Sequence, residues 1–192
     1  MTRERIQMIS DGIIAIIITI MMLDIKVPGA GDFNRGSFAP ILQQVLIYAL
    51  SFIVIAIMWL NHHHIFVGVE KVNIRITWLN FLLLFAMSLI PLPTKVLGEN
   101  FHSKDAHLFY GVVLTMSAIC YSILQQDVNK HTPILNATEI SKINRLNWTS
   151  TAIYSLSIPL SQINIYLSTF IFVLLPIIYF VPSKILTNKS KQ

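Results

Sequence analysis

A chain of 192 residues that is 54% hydrophobic and only 12% charged, with a mean hydropathy of +0.65, is not a soluble domain, since those carry about 25% charged residues. Its net charge of +5 is not gathered into the stripe that a nucleic-acid binder presents on one face; the basic residues fall between and beyond apolar runs, where they set topology. A lone cysteine, Cys120, excludes a disulfide framework.

About 20 apolar residues cross a bilayer as a helix, which predicts an all-α integral membrane protein. One six-helix domain covers 1–192, with spans at 6–26, 40–62, 74–97, 107–126, 146–162 and 165–184. The chain starts like a signal peptide, basic and then apolar. It has no small-x-small cleavage site and more apolar segments follow, so 6–26 reads as an uncleaved first span. Pro28-Gly29-Ala30-Gly31 closes that span and Gly98-Glu99-Asn100 closes the third. Only Ser161-Gln162-Ile163-Asn164 separates the fifth from the sixth, and a re-entrant hairpin is the alternative there.

Lys and Arg set the orientation. Ten of them (Arg3, Arg5, Lys71, Arg75, Lys130, Lys142, Arg145, Lys184, Lys189 and Lys191) fall on one side. Four (Lys26, Arg35, Lys95 and Lys104) fall on the other. Both termini are therefore expected on the cytoplasmic face. The sequence has no internal repeat.

Polar groups inside apolar spans persist only where protein or water satisfies them. Ser10 and Asp11, with Arg5 a turn earlier, head the first span. Trp59-Leu60-Asn61-His62-His63-His64 ends the second at the same membrane face. The two clusters can meet, with Asp11 paired to Arg5, Asn61 or one of the histidines. Such a network either fixes the first helix or acts as a protonation-sensitive gate. Three consecutive histidines on a helix point about 100° apart and cannot converge on one ion. His131 lies on their side and His102 and His107 on the other, so neither a catalytic metal nor a cofactor is expected. No nucleophile elbow or phosphate-cradling glycine loop is present, which argues against an enzyme. Asp24 and Lys26 end the first span, either at a pore mouth or solvated in the interface.

Ile16, Ile20 and Leu23 share one helical face, with Thr19 beside it; Ile9, Gly12 and Ile13 continue it. Taken alone, such a stripe is ordinary packing.

At these residues the chain resembles a known family. The segments are Arg5 with Ile9-Ser10-Asp11-Gly12, Ala15 to Ile20, Trp59-Leu60-Asn61-His62-His63 and Leu89-Ile90-Pro91-Leu92-Pro93-Thr94. In this order they are similar to the bacterial relatives of the endolysosomal potassium channel, transmembrane protein 175. Ile9 stands where the family has Phe, which removes an aromatic contact at that position. The last three predicted spans carry no diagnostic motif. The resemblance implies a potassium-permeable cation channel of six helices per subunit, assembled as a homotetramer with the first helix lining the pore. It assigns the hydrophobic constriction to Ile16, Ile20 and Leu23, and the threonine of the pore helix to Thr19. Arg5, Ser10, Asp11, Trp59, Asn61, His62 and His63 would form the polar network.

The chain has no T-V-G-Y-G filter and no spaced arginines of a voltage sensor. Rings of branched aliphatic side chains would instead gate by dewetting. Potassium sheds water more readily than sodium, so modest selectivity follows, with Thr19 hydroxyls replacing some hydration oxygens. The expected partners are K+ and other monovalent cations, the lipid bilayer of the cell membrane, and further copies of the chain, with no nucleic acid. The competing class is a proton-coupled secondary transporter that relays through Asp11 and His62–His64. Transporters often show inverted repeats and broken mid-membrane helices. Here Pro91, Pro93 and Pro159 lie near span ends and only Pro176 falls inside one.

Overall fold

The computed structural model describes residues 2–29, 33–66, 69, 72–130 and 136–180. Ala30, Gly31, Lys71, His131, Lys184, Lys189, Lys191 and the 181–184 end of the last predicted span lie outside them.

Every described element is helical. In chain order they are α1 (Arg3–Leu23), a 3-10 turn at Arg35–Ser37, α2 (Phe38–Phe66), α3 (Ile74–Ser88), α4 (Pro91–Glu99), α5 (Lys104–Lys130), α6 (Ala137–Ile163) and α7 (Ile165–Phe180). In hydrocarbon, backbone groups must find partners within their own segment, so apolar runs of this length form helices despite their β-branched residues. Four stretches are long and apolar enough to cross a membrane: α1, α2, α3 with α4 taken together, and α5. In α6 the first half is polar, and α7 is apolar but shorter.

The predicted third span is two helices. Pro91 and Pro93 supply no backbone N–H, so the i→i−4 ladder lapses between Ser88 and Pro91, where Leu89 and Ile90 donate instead to the carbonyls three residues back. Between α6 and α7 the break is a single extended residue, Asn164, whose Oδ1 accepts from Tyr166 N at 2.8 Å. The predicted turn residues Ser161 to Ile163 instead remain in α6. Side chains also start the helices: Asn73 Oδ1 accepts from Ile76 N at 2.8 Å to open α3, and Asn136 forms a capping box with Glu139 to open α6.

α1 packs on α2, α3 and α4; α5 packs on α3 and α6; α6 packs on α7. Ile55, Ile76, Leu83, Tyr110 and Phe172 are fully enclosed. Lipid is as apolar as leucine, so close packing and interhelical hydrogen bonds must hold such a bundle. Gly111 shows how close: a Cβ there would stand 2.7 Å from Ser157 Oγ on α6.

Candidate functional site

The sequence concentrates its signals on α1, and α1 has two unlike faces. Ile6, Ser10, Ile14, Ile17 and Met21 are buried, a stripe that repeats every three or four residues. At about 100° per residue, Met8, Gly12, Ile16, Thr19 and Leu23 lie on the opposite side. Ile16 is 58% and Leu23 83% exposed, and a Cβ on Gly12 would meet nothing within 4 Å. Ile20, 47% exposed, stands on the flank of this open face. Thr19 Oγ donates back to the carbonyls of Ala15 (3.1 Å) and Ile16 (3.0 Å). Because its one proton is directed into the helix, the oxygen's lone pairs remain available to a cation.

The buried face is fastened at both ends. At the N-terminal end Ser10 Oγ donates to Ile6 O at 2.8 Å and accepts from Asn80 Nδ2 of α3 at 3.0 Å. With its amide nitrogen donating, Asn80 has only Oδ1 left as acceptor. His62 Nε2 of α2 lies 2.6 Å from it and so carries the proton. Ser10, His62 and Asn80 are all buried, so one amide joins three helices in a place where unpaired polar groups are costly. One turn outward, Trp59 Nε1 donates to Asp11 Oδ1 at 2.8 Å.

At the other end Lys95 Nζ meets Asp24 at 2.8 Å and Lys26 Nζ meets Glu99 at 3.0 Å, both pairs tying the end of α1 to α4. Lys26 N also donates to Gln44 Oε1 of α2 at 2.9 Å. The half-helix α4 is anchored in turn by a chain of hydroxyls. Thr94 Oγ donates to Ile90 O (2.8 Å), so Ser51 donates to Thr94 (2.8 Å) and Tyr110 to Ser51 (2.9 Å).

Of the residues singled out in the sequence, the structure joins Ser10 and His62 through Asn80, and Asp11 directly to Trp59. The Asp11 carboxylate is met by the indole rather than by Arg5, Asn61 or a histidine. Arg5 is exposed and makes no ion pair among the described residues. His63 sits beside Trp59, ring centroids 6.5 Å apart, and Asn61 turns away into a cavity between α2, α5 and α6. Asn80, Ser51 and Tyr110 were missed. Each is a polar residue within an apolar run, which is itself the signal.

A family model described as the endosomal/lysosomal potassium channel TMEM175 matches residues 5–91, the segment that holds every member of the Ser10 and Asp11 contacts. A potassium channel of Chryseobacterium sp. (strain P1-3) is 37% identical over the whole of both chains. The crystal structure of a lysosomal potassium-selective channel TMEM175 homolog from Chamaesiphon minutus matches with a TM-score of 0.82 at 28% identity, covering 93% of this chain and 96% of that one. The endosomal/lysosomal proton channel TMEM175 of Gallus gallus is 30% identical over 62% of this chain, a match to 26% of its own length.

Proposed function

The chain belongs to the TMEM175 family, multi-pass membrane channels rather than enzymes, and on that premise we propose that it is a potassium-permeable cation channel whose pore is lined by α1. Four copies, each contributing six membrane helices, would surround the axis in the cell membrane with both termini cytoplasmic. One observation carries this reading: α1 is clamped by polar contacts along one face and leaves Gly12, Ile16, Thr19 and Leu23 uncovered on the other. Placed around an axis, Ile16, Ile20 and Leu23 form apolar rings that resist wetting, and Thr19 offers oxygens between them. Selectivity among monovalent cations is then modest, since no fixed ring of carbonyls replaces the hydration shell.

The carrier reading lacks a relay. Among the described residues Asp11 bonds Trp59 and His62 bonds Asn80, and no hydrogen bond joins the aspartate to a histidine.

The test is a planar bilayer with KCl on one side and NaCl on the other. Unitary currents reversing toward the potassium equilibrium potential support the proposal. Reversal near zero removes selectivity, and current that follows a pH gradient in place of potassium makes the protein a proton pathway. Native mass spectrometry of the purified protein reads the copy number, and anything but four overturns the tetramer.

A further inference from the structure

Away from α1 and its clamps, a mostly apolar cavity of about 60 Å³ lies between α2, α5 and α6, with Pro176 of α7 also in its lining, and it is partly open to the outside. Its lining is graded. Val54 and Leu114 form the part nearer mid-membrane in the proposed orientation, and Asn61 and Asn147 form the part nearer the cytoplasmic face. Most polar atoms on the wall already have partners: Ser122 bonds Thr151 (3.2 Å), and Tyr121 OH and Asn147 Nδ2 both donate to Gln125 Oε1 (2.6 and 3.4 Å). The Asn61 amide makes no hydrogen bond among the described residues, so it and Asn147 Oδ1 offer a donor and acceptors at the polar end. No Asp, Glu, Lys or Arg lines the cavity.

We propose that this cavity is a binding site for a slim neutral amphiphile, of the chemical class of a straight-chain alcohol, with its hydroxyl between Asn61 and Asn147 and its chain along Val54, Met58 and Leu114. The lining decides the class. A charged head would find no counter-ion in a place where unpaired charge is costly. The enclosed space, about 60 Å³, is well under the roughly 150 Å³ of a cavity that holds a benzene ring, so it takes only the hydroxyl and first carbons of an unbranched chain, and the open side lets the rest of the chain continue outward. The site has a route to the pore helix, a step that rests on the channel reading above. Asn61 lies between Trp59, which holds Asp11, and His62, which reaches Ser10 through Asn80. An occupant that braces Asn61 therefore braces the α2 segment to which α1 is tied.

The test uses the purified full chain and a diazirine-bearing analogue of 1-octanol. On irradiation the label is expected on peptides carrying Met58, Asn61 or Asn147, and excess 1-octanol is expected to displace it. Label confined to the outward surface around Leu156 and Phe170, or label that excess 1-octanol leaves in place, overturns the site. Met58→Trp and Ala118→Leu fill the cavity from different walls, so one remains informative if the other fails to fold; both are expected to lose the label. Retention of label by a folded filled variant overturns the assignment. In bilayers 1-octanol is expected to alter the current of the native chain and not that of the filled variants; an equal response overturns the link to the pore helix. Labelling is read whether or not the protein conducts, so a labelled but silent protein counts against the channel and not against the site.

Discussion

Trp59 donates its indole N–H to Asp11 across the seam between α2 and α1, at 2.8 Å. This contact orients an exposed carboxylate on the flank of α1 with no ion-pair partner among the described residues. The same carboxylate would be a poor stabiliser in the bundle interior. It is exposed here and needs only to be oriented. Together with the Asn80 bridge it fixes the rotation of α1, and therefore which residues α1 presents to its open face.

Trp59→Phe keeps the ring against α1 and removes only the donor. Interhelical side-chain hydrogen bonds in membranes average about 0.6 kcal/mol and rarely exceed about 1.7. The variant should therefore fold, with a thermal midpoint lowered by a few degrees. Its larger effect should fall on gating, because α1 regains freedom to rotate. Single-channel open probability at fixed voltage reads this, and an open probability equal to that of the native chain would show that the clamp does not govern the pore.

Asn80→Leu should be costlier than Ser10→Ala. Removing the Asn80 amide leaves the buried His62 Nε2 proton without its acceptor, a penalty of about 1–3 kcal/mol. Ser10→Ala leaves one hydrogen of the buried Asn80 amide without its acceptor but keeps the His62 contact standing, so its cost should fall at the lower end of the same range, about 1 kcal/mol. Thermal unfolding in detergent ranks the two, and a reversed order would place the centre of the network on Ser10.

That ranking also shows what the sequence could and could not reveal. Ser10, Asp11, Trp59 and His62 are conspicuous because they sit where apolar runs begin and end. Asn80 is inconspicuous between Leu79 and Phe81, although a buried amide in a span is the kind of group that must have a partner. Spacing alone cannot choose among Arg5, Asn61 and the histidines as the partner of Asp11. That choice depends on the rotation of α2, which turns Trp59 toward α1 and Asn61 toward α5 and α6. The break at Pro91 lies in the sequence, but the fastening of the short helix beyond it does not. Thr94 holds α4 only because Ser51 and Tyr110, distant in the chain, arrive at the same place.

Substitutions at Thr19 and Ile20 should separate selectivity from gating in the proposed pore. Thr19→Val keeps the shape and removes the oxygen, so the shift in reversal potential under opposed KCl and NaCl should shrink toward zero, while Thr19→Ser should retain it. Ile20→Ala shortens an apolar side chain of α1 and, in the proposed pore, should raise basal current by easing wetting. If Thr19→Val reverses where the native chain does, the hydroxyl has no part in discrimination. If Ile20→Ala leaks no more than the native chain, the constriction belongs to Ile16 or Leu23.

Two glycine substitutions test the α5–α6 contact and the orientation of α1. Gly111→Ala drives a methyl into Ser157 Oγ at 2.7 Å, with Ile158 and Phe172 each at 3.5 Å. Ser157 is pinned to the Tyr154 carbonyl at 2.6 Å, so α5 and α6 must part, at a cost of about 1–3 kcal/mol. Gly12→Ala meets nothing within 4 Å, and alanine is the better helix former by up to about 1 kcal/mol, so folding should be unharmed. Yet Gly12 lies on the same open face as Ile16 and Thr19. If that face surrounds the ions, the substitution adds a ring of methyl groups to the pore and should lower unitary conductance in a protein that is no less stable. If the face instead meets lipid, the added methyl groups reach no ion path and conductance should not change. Unitary current and melting temperature measured on the same preparation distinguish the two, and a stable Gly12→Ala channel of native conductance would move the pore away from this face of α1.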